Sequence, residues 1–260
     1  EFGLYYMNYH SRTPIFSATN ATQSFGLPVN FGANPEFFFE FPEDIELWGL
    51  TFATNVGDWA VSGELSHRPD FPLQINTTEL LQAVALGTAA EWSRMLSRSL
   101  EQGPGGYVAG YDDVSYTQFQ MTFIKFFEQV LGAQRLSFAS EVGAVWLNGM
   151  DDSINYGRSP NYGTNDGFTD DFSWGYRVRA GLEYTDVMAG INLTPNMAWS
   201  HDVRGNSPAP NFVEDRIALS VGVTADYLNV YRADLSYTSF FGADYDELKD
   251  RDFVSLSFSV

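Results

Sequence analysis

The chain contains no cysteine, which excludes disulfide staples, thiolate nucleophiles and cysteine metal sites. Positive charge is scarce: 14 lysines and arginines stand against 33 aspartates and glutamates in 260 residues, a formal net charge of −19. That balance excludes nucleic acid and an anionic bilayer surface as electrostatic partners. No run of about 18 apolar residues occurs, so no membrane-spanning helix is expected. Only three histidines occur, His10, His67 and His201, without metal-ligand spacing, and there is no GxSxG elbow and no glycine-rich phosphate loop. A protein that is not an enzyme, with no cofactor and no metal site, is the expectation. The opening Glu1-Phe2-Gly3-Leu4 carries neither an initiator methionine nor a signal peptide, the pattern of a mature or partial chain.

What is abundant is alternation. In the last eight residues Val254, Leu256, Phe258 and Val260 share one strand face, and Ser255, Ser257 and Ser259 the other. In Arg216–Tyr227 the set Ile217, Leu219, Val221, Val223, Ala225 and Tyr227 opposes Ala218, Ser220, Gly222, Thr224 and Asp226. Alternation and turn chemistry predict about ten strands, at 2–10, 46–55, 58–68, 115–127, 135–147, 173–185, 188–201, 216–227, 230–240 and 253–260. Tight turns at 55–58, 185–188 and 227–230 and a short link at 128–134 alternate with connections at 11–45, 69–114, 147–172, 202–215 and 241–252. Strands longer than the roughly 5–6 residues of soluble sheets, with short turns at one end and long loops at the other, predict an all-β, antiparallel outer-membrane barrel.

Aromatic placement supports the same reading. Trp174 and Tyr184 stand ten positions apart on one face, which at ~3.3 Å per residue and ~40° tilt spans roughly 25 Å, the height of a barrel's apolar band. Trp59, Trp146, Trp199 and Tyr227 are the further girdle residues. One domain over 1–260 is expected, with a loop insertion at 69–113 holding a helix at about 77–102. Asn76 with Glu79 matches a capping box, and Leu80, Leu81, Val84, Trp92, Met95 and Leu96 recur at helical spacing. That apolar set either packs the helix over the barrel mouth or forms a vestibule for solute.

On the face opposite the apolar one fall Glu64, Glu141, Arg177, Arg179, Glu183, Asp226, Arg232 and Asp234. Charges of both signs in a lumen brace its wall or select solutes, and Arg177 and Arg179 are the foremost contact candidates. The acidic stretches Asp151-Asp152 and Asn165–Asp171 match no EF-hand loop and read as solvated loops.

Several segments, in order along the whole chain, resemble one known family: Glu1–Arg12, Phe41-Pro42-Glu43-Asp44-Ile45, Trp174-Gly175-Tyr176-Arg177, Asn192-Leu193-Thr194-Pro195, Ala198–Val203 and Asp250–Leu256. That family is a proteobacterial outer-membrane group catalogued as a domain of unknown function, number thirteen-oh-two. The resemblance implies the outer membrane of a Gram-negative bacterium and a chain about half a member's usual length. It also implies similarity to hydrophobe-handling barrels, with an outer-membrane lipoprotein and an RND-type exporter as partners besides lipid and lipopolysaccharide. The expected function is passage of hydrophobic or amphipathic small molecules across the outer membrane. The alternatives are a general or ion-selective porin and a docking piece of a trans-envelope complex.

Overall fold

In the computed structural model, residues 1–22, 35–157, 167–208, 211–228 and 230–260 are described. Asn165 and Asp166 of the second acidic stretch, and Asn229 of the last tight turn, lie outside them. The strands are β1 (Phe2–Tyr9), β2 (Ile15–Thr19), β3 (Phe37–Glu40), β4 (Ile45–Val56), β5 (Trp59–Gln74), β6 (Tyr107–Val108) and β7 (Tyr111–Glu128). After them come β8 (Arg135–Asn148), β9 (Phe172–Met188), β10 (Ile191–Arg204), β11 (Arg216–Tyr227), β12 (Tyr231–Gly242) and β13 (Phe253–Ser259). Two helices, α1 (Thr77–Leu86) and α2 (Leu96–Gln102), fall between β5 and β6.

Ten strands form one antiparallel sheet in the order β1-β4-β5-β7-β8-β9-β10-β11-β12-β13. All ten correspond to strands the alternation predicts. Each spatial neighbour is the next of these ten along the chain, so successive connections fall at opposite ends of the sheet. The short ones gather at one end, at 57–58, 129–134, 189–190 and 228–230. The long ones gather at the other. β1 and β13 form the two edges and do not pair with each other.

Register carries the alternation across the sheet. Leu4, Leu50, Leu65, Phe119, Ala144 and Trp174 lie opposite one another in a row on one face. Met197, Val221, Tyr237 and Val254 make another such row. This apolar face is open: Leu4 is 82% exposed and Leu256 61%. The opposite face is polar and small, as in the rows Ser62-Thr122-Glu141-Arg177-Ser200-Ala218 and Gly181-Asn196-Gly222-Ser236-Ser255. One face of the sheet is thus apolar and exposed and the other polar with many small residues.

The buried core sits at the long-connection end. Leu80, Ala83 and Val84 of α1 pack with Met95, Ala18, Val108, Leu73, Ile75, Val114, Tyr116, Leu147 and Tyr156. β2 pairs with β3 and with β6 in a separate three-stranded sheet, so the 11–45 connection is not a plain loop.

Three local expectations are corrected. The helix expected at 77–102 is two helices, because Gly87, at φ +51, ends α1 and donates its amide to Ala83 O. Asn76 caps α1 by accepting from the Glu79 amide at 3.1 Å. The Glu79 carboxylate does not close the box. It binds Asn155 Nδ2 and the Arg94 amide instead. The insertion begins later than residue 69, since β5 continues through Pro69 and Pro72 to Gln74, with a bulge between Arg68 and Phe71. The turn expected at 185–188 lies at Ala189-Gly190, both at positive φ. Asp186, itself at φ +49, accepts from the Gly190 amide at 2.8 Å, and its own amide donates to Asn192 Oδ1 at 2.9 Å, which carries β9 past the expected turn.

Candidate functional site

At the long-connection end of the polar face lies a cavity of about 1190 Å³, somewhat above the roughly 300–1,000 Å³ common for small-molecule sites. One wall comes from β1, β4 and β5 through Met7, Ile45, Leu47, Phe71 and Leu73, and Ile15 of β2 adjoins it. The other wall comes from the β10–β11 and β12–β13 connections through Phe212, Val213, Tyr245 and Leu248. Phe212 reaches that position across β8, where Gly143 leaves room: a Cβ there would meet the Phe212 ring at 3.2 Å.

The second wall is pinned by a buried charge. Asp202 near the end of β10 is 2% exposed. It accepts from Arg216 Nε at 2.8 Å and from the Val213 amide at 3.2 Å, and Arg177 approaches its other oxygen at 3.8 Å. A carboxylate so buried needs such partners, because its desolvation costs several kcal/mol unless it is paired. Arg68 stands on the first wall. Its Nε donates to Tyr9 Oη at 3.1 Å, and its guanidinium lies 5.1 Å from the centre of the Tyr116 ring. Arg12 and Arg251 line the same cavity and are exposed.

A second polar cluster holds the helical insertion to the sheet. Arg98 of α2 donates from one nitrogen to both oxygens of Asp112, at 2.7 and 2.9 Å, and from another to Asp151 at 2.9 Å. Tyr156 donates to Asp112 at 2.5 Å. Burial, reinforced by that hydrogen bond, pushes the Tyr156 hydroxyl up to about 12. Bonds from the Ser153 hydroxyl and amide, then from Arg98, hold Asp151 down at about 2. The Asp112 bond keeps Arg98 firmly protonated. Asn20 ties β2 to α2 by donating to Ser99 O and Gly103 O.

The family model described as "Protein of unknown function (DUF1302)" matches residues 1–260. The chain belongs to this family. No curated protein and no solved structure matches it.

In this DUF1302 chain the eight charged candidates share the polar face but lie outside the cavity lining. Glu183 takes both its bonds from Arg135, at 2.9 and 2.8 Å. Arg232 pairs with Asp234 at 3.0 Å, and Thr224 donates to the same carboxylate at 2.6 Å. Asp226 lies opposite Arg232 in register. Glu64 accepts from Tyr5 Oη at 2.6 Å, and Glu141 lies opposite Arg177. Arg179 forms no ion pair among the described residues. Among the described residues Arg232 and Asp234 are the one ion pair within this set, whereas Glu183 turns to Arg135, Glu64 to Tyr5 and Arg177 to Asp202.

Of the vestibule residues, Leu80, Val84 and Met95 are core, Leu81 and Leu96 are half-buried, and Trp92 is exposed with its Nε1 on Gln82. All six girdle aromatics lie on the apolar face. Trp59 contacts Phe127 and Phe138 edge-on, Trp146 packs against Phe172, and Tyr227 stacks on Tyr231. Trp199 donates to Tyr176, and Tyr184 to Leu131 O. Trp174 continues the Leu4 row.

The histidines are separated. His10 accepts from the Asp44 amide, His67 bonds Thr117, and His201 packs against Tyr176 and Trp199. Among the described residues no group of three or more His, Cys, Asp or Glu could hold a metal ion, and no helix is long and apolar enough to cross a membrane. Sequence reasoning missed Asp202, Arg68 and Phe212. Only Asp202 had a local signal, as a carboxylate within the alternating pattern of β10.

Proposed function

We propose that this DUF1302 protein is an outer-membrane β-barrel that passes hydrophobic or amphipathic small molecules across the Gram-negative outer membrane without altering them. The observation that carries the reading is the large, mainly apolar cavity at one end of a sheet whose opposite face is apolar and exposed. Strands of 12 to 18 residues from β4, β5 and β7 onward through β12 exceed the roughly 9–11 residues a tilted strand needs to cross a bilayer. Lipid and lipopolysaccharide then cover Leu4, Leu50, Leu65, Val221 and Leu256, and the two aromatic groups anchor the wall at its polar boundaries. The cavity end faces outward, since barrels of this kind keep their short turns in the periplasm.

An outer-membrane lipoprotein and an RND-type exporter are the partners that complete the path through the envelope. Uptake and efflux of radiolabelled long-chain hydrophobes in deleted and complemented strains test the reading. A difference that complementation restores is the expected result, and equal flux in the two strains would sink it. Planar-bilayer recording separates it from the porin reading: a stable open conductance favours a porin, because the transporter's cavity end is occupied by packed side chains.

A further inference from the structure

We infer that the cavity selects amphiphiles carrying an anionic head, a carboxylate or sulfonate, and that Arg68 is the residue that holds it. The inference rests on the transport reading above and specifies its substrate class. Its basis is a charge distribution at odds with the rest of the chain. Only 14 basic residues occur against 33 acidic ones, yet Arg12, Arg68, Arg216 and Arg251 all line this one cavity, with Asp246 and Glu247 as its only acids among the described residues.

Their partners differentiate these groups. Arg216 is committed to Asp202 at 2.7 Å. Asp246 turns one oxygen to the Leu248 amide at 3.0 Å, while its other oxygen is buried without a hydrogen-bond partner among the described residues. Arg12, Arg68 and Arg251 form no ion pair among the described residues. Arg68 is the partly buried one of the three. A guanidinium withdrawn from water is costly without an anion, and its phenol and ring contacts leave hydrogen-bond donors unused. Its planar fork suits a carboxylate or sulfonate.

The surroundings suit the rest of such a molecule. Leu47 and Arg68, each one residue beyond the pair Trp48 and His67, line the same cavity, with Ile45, Ile15, Leu73 and Phe212 in the adjoining walls. A head on Arg68 would leave an aliphatic tail against these side chains, while Arg12 and Arg251, both exposed, would draw anions toward the opening. A neutral amphiphile would gain the apolar contacts and forgo the charge-assisted bonds. A cationic one would meet three arginines that form no ion pair among the described residues.

The test uses the full chain in nanodiscs of zwitterionic lipid, with photoreactive hexadecanoate, hexadecanesulfonate, hexadecanol and hexadecylamine as probes and peptide mapping of the adducts. The expected result is labelling of the cavity walls by the two anions, competed by unlabelled hexadecanoate, at an affinity about tenfold above that of the alcohol. R68Q should remove that advantage while leaving labelling by the alcohol unchanged. R251Q, an exposed substitution with no packing to lose, should slow anion capture, and R179Q on the same face outside the cavity should do nothing. Equal labelling by all four probes in the unsubstituted protein would overturn the charge selection and leave the transport reading standing. Cavity labelling by none of them would overturn both. An R68Q protein that loses the alcohol along with the anions would assign Arg68 to wall structure and also overturn the inference.

Discussion

Arg98 shows how a single side chain can hold two segments. It satisfies Asp112 and Asp151 together, so R98A leaves two carboxylates facing each other without their cation. Because the cluster is about a third exposed, the expected loss is only about 1–3 kcal/mol, felt mainly in the insertion. Hydrogen exchange of α2 amides should accelerate while the sheet amides stay protected. Asp151 adds a pH dependence. Its carboxyl is held below its ordinary value, at about 2, so the stability it contributes is complete above the unfolded value of about 4 and disappears as pH falls toward 2. Limited proteolysis between pH 5 and 2 should show cleavage near residues 90–103 rising in that window, and D151N should flatten the rise. Neither acid pair is visible as a spacing in the sequence, because Arg98, Asp112 and Asp151 come from three separate segments.

Among the elements, β2 is the one with least local signal and most consequence. It joins β3, β6 and the insertion, and it passes so close to the start of β7 that a Cβ on Gly110 would lie 1.6 Å from Phe16 O. Backbone cannot yield there as a flexible side chain could. G110A should therefore detach the three-stranded sheet, with protease cutting within residues 11–45 and 75–110 at conditions where the intact protein resists. A second test is L80A. Leu80 is fully buried between α1 and the sheet, and truncation should cost about 2–5 kcal/mol in urea unfolding of the insertion. The long strands were legible because their dyad pattern is local. The small sheet was not, since residues 15–19, 37–40 and 107–108 pair across gaps that leave no periodic trace. The helix break was written in one residue, Gly87, whose positive φ outweighs the apolar spacing around it.

For the whole molecule, the proposed outer-membrane role depends on the exposed apolar face of the sheet lying against lipid. Leu256 and Ser255 are adjacent on β13 and point to opposite faces. L256R should cost about 2–4 kcal/mol if its face lies in hydrocarbon near the midplane, whereas S255R should be nearly neutral. Refolding into lipid vesicles, read as the shift of the unheated band on a gel, checks this. Equal refolding of the two variants would contradict the lipid-facing reading.

The sequence by itself determined the ten strands, their alternating faces, the end at which short turns gather and the common face of Trp59, Trp146, Trp174, Tyr184, Trp199 and Tyr227. Each follows from periods of two and from turn residues within a few positions of one another. Tertiary structure alone decided that the charges of the polar face mostly turn to partners on neighbouring strands, such as Arg135 for Glu183 and Asp202 for Arg177, that the helical insertion is buried core, and that a cavity forms elsewhere. That cavity draws its walls from β1, β4 and β5 and from connections more than 130 residues later. Arg68 becomes distinctive only when register sets it beside Tyr116 and the folded loops bring Phe212 across from the far side. Pairing of strands is a local preference repeated many times, whereas a cavity is what remains between segments whose meeting depends on the whole sheet.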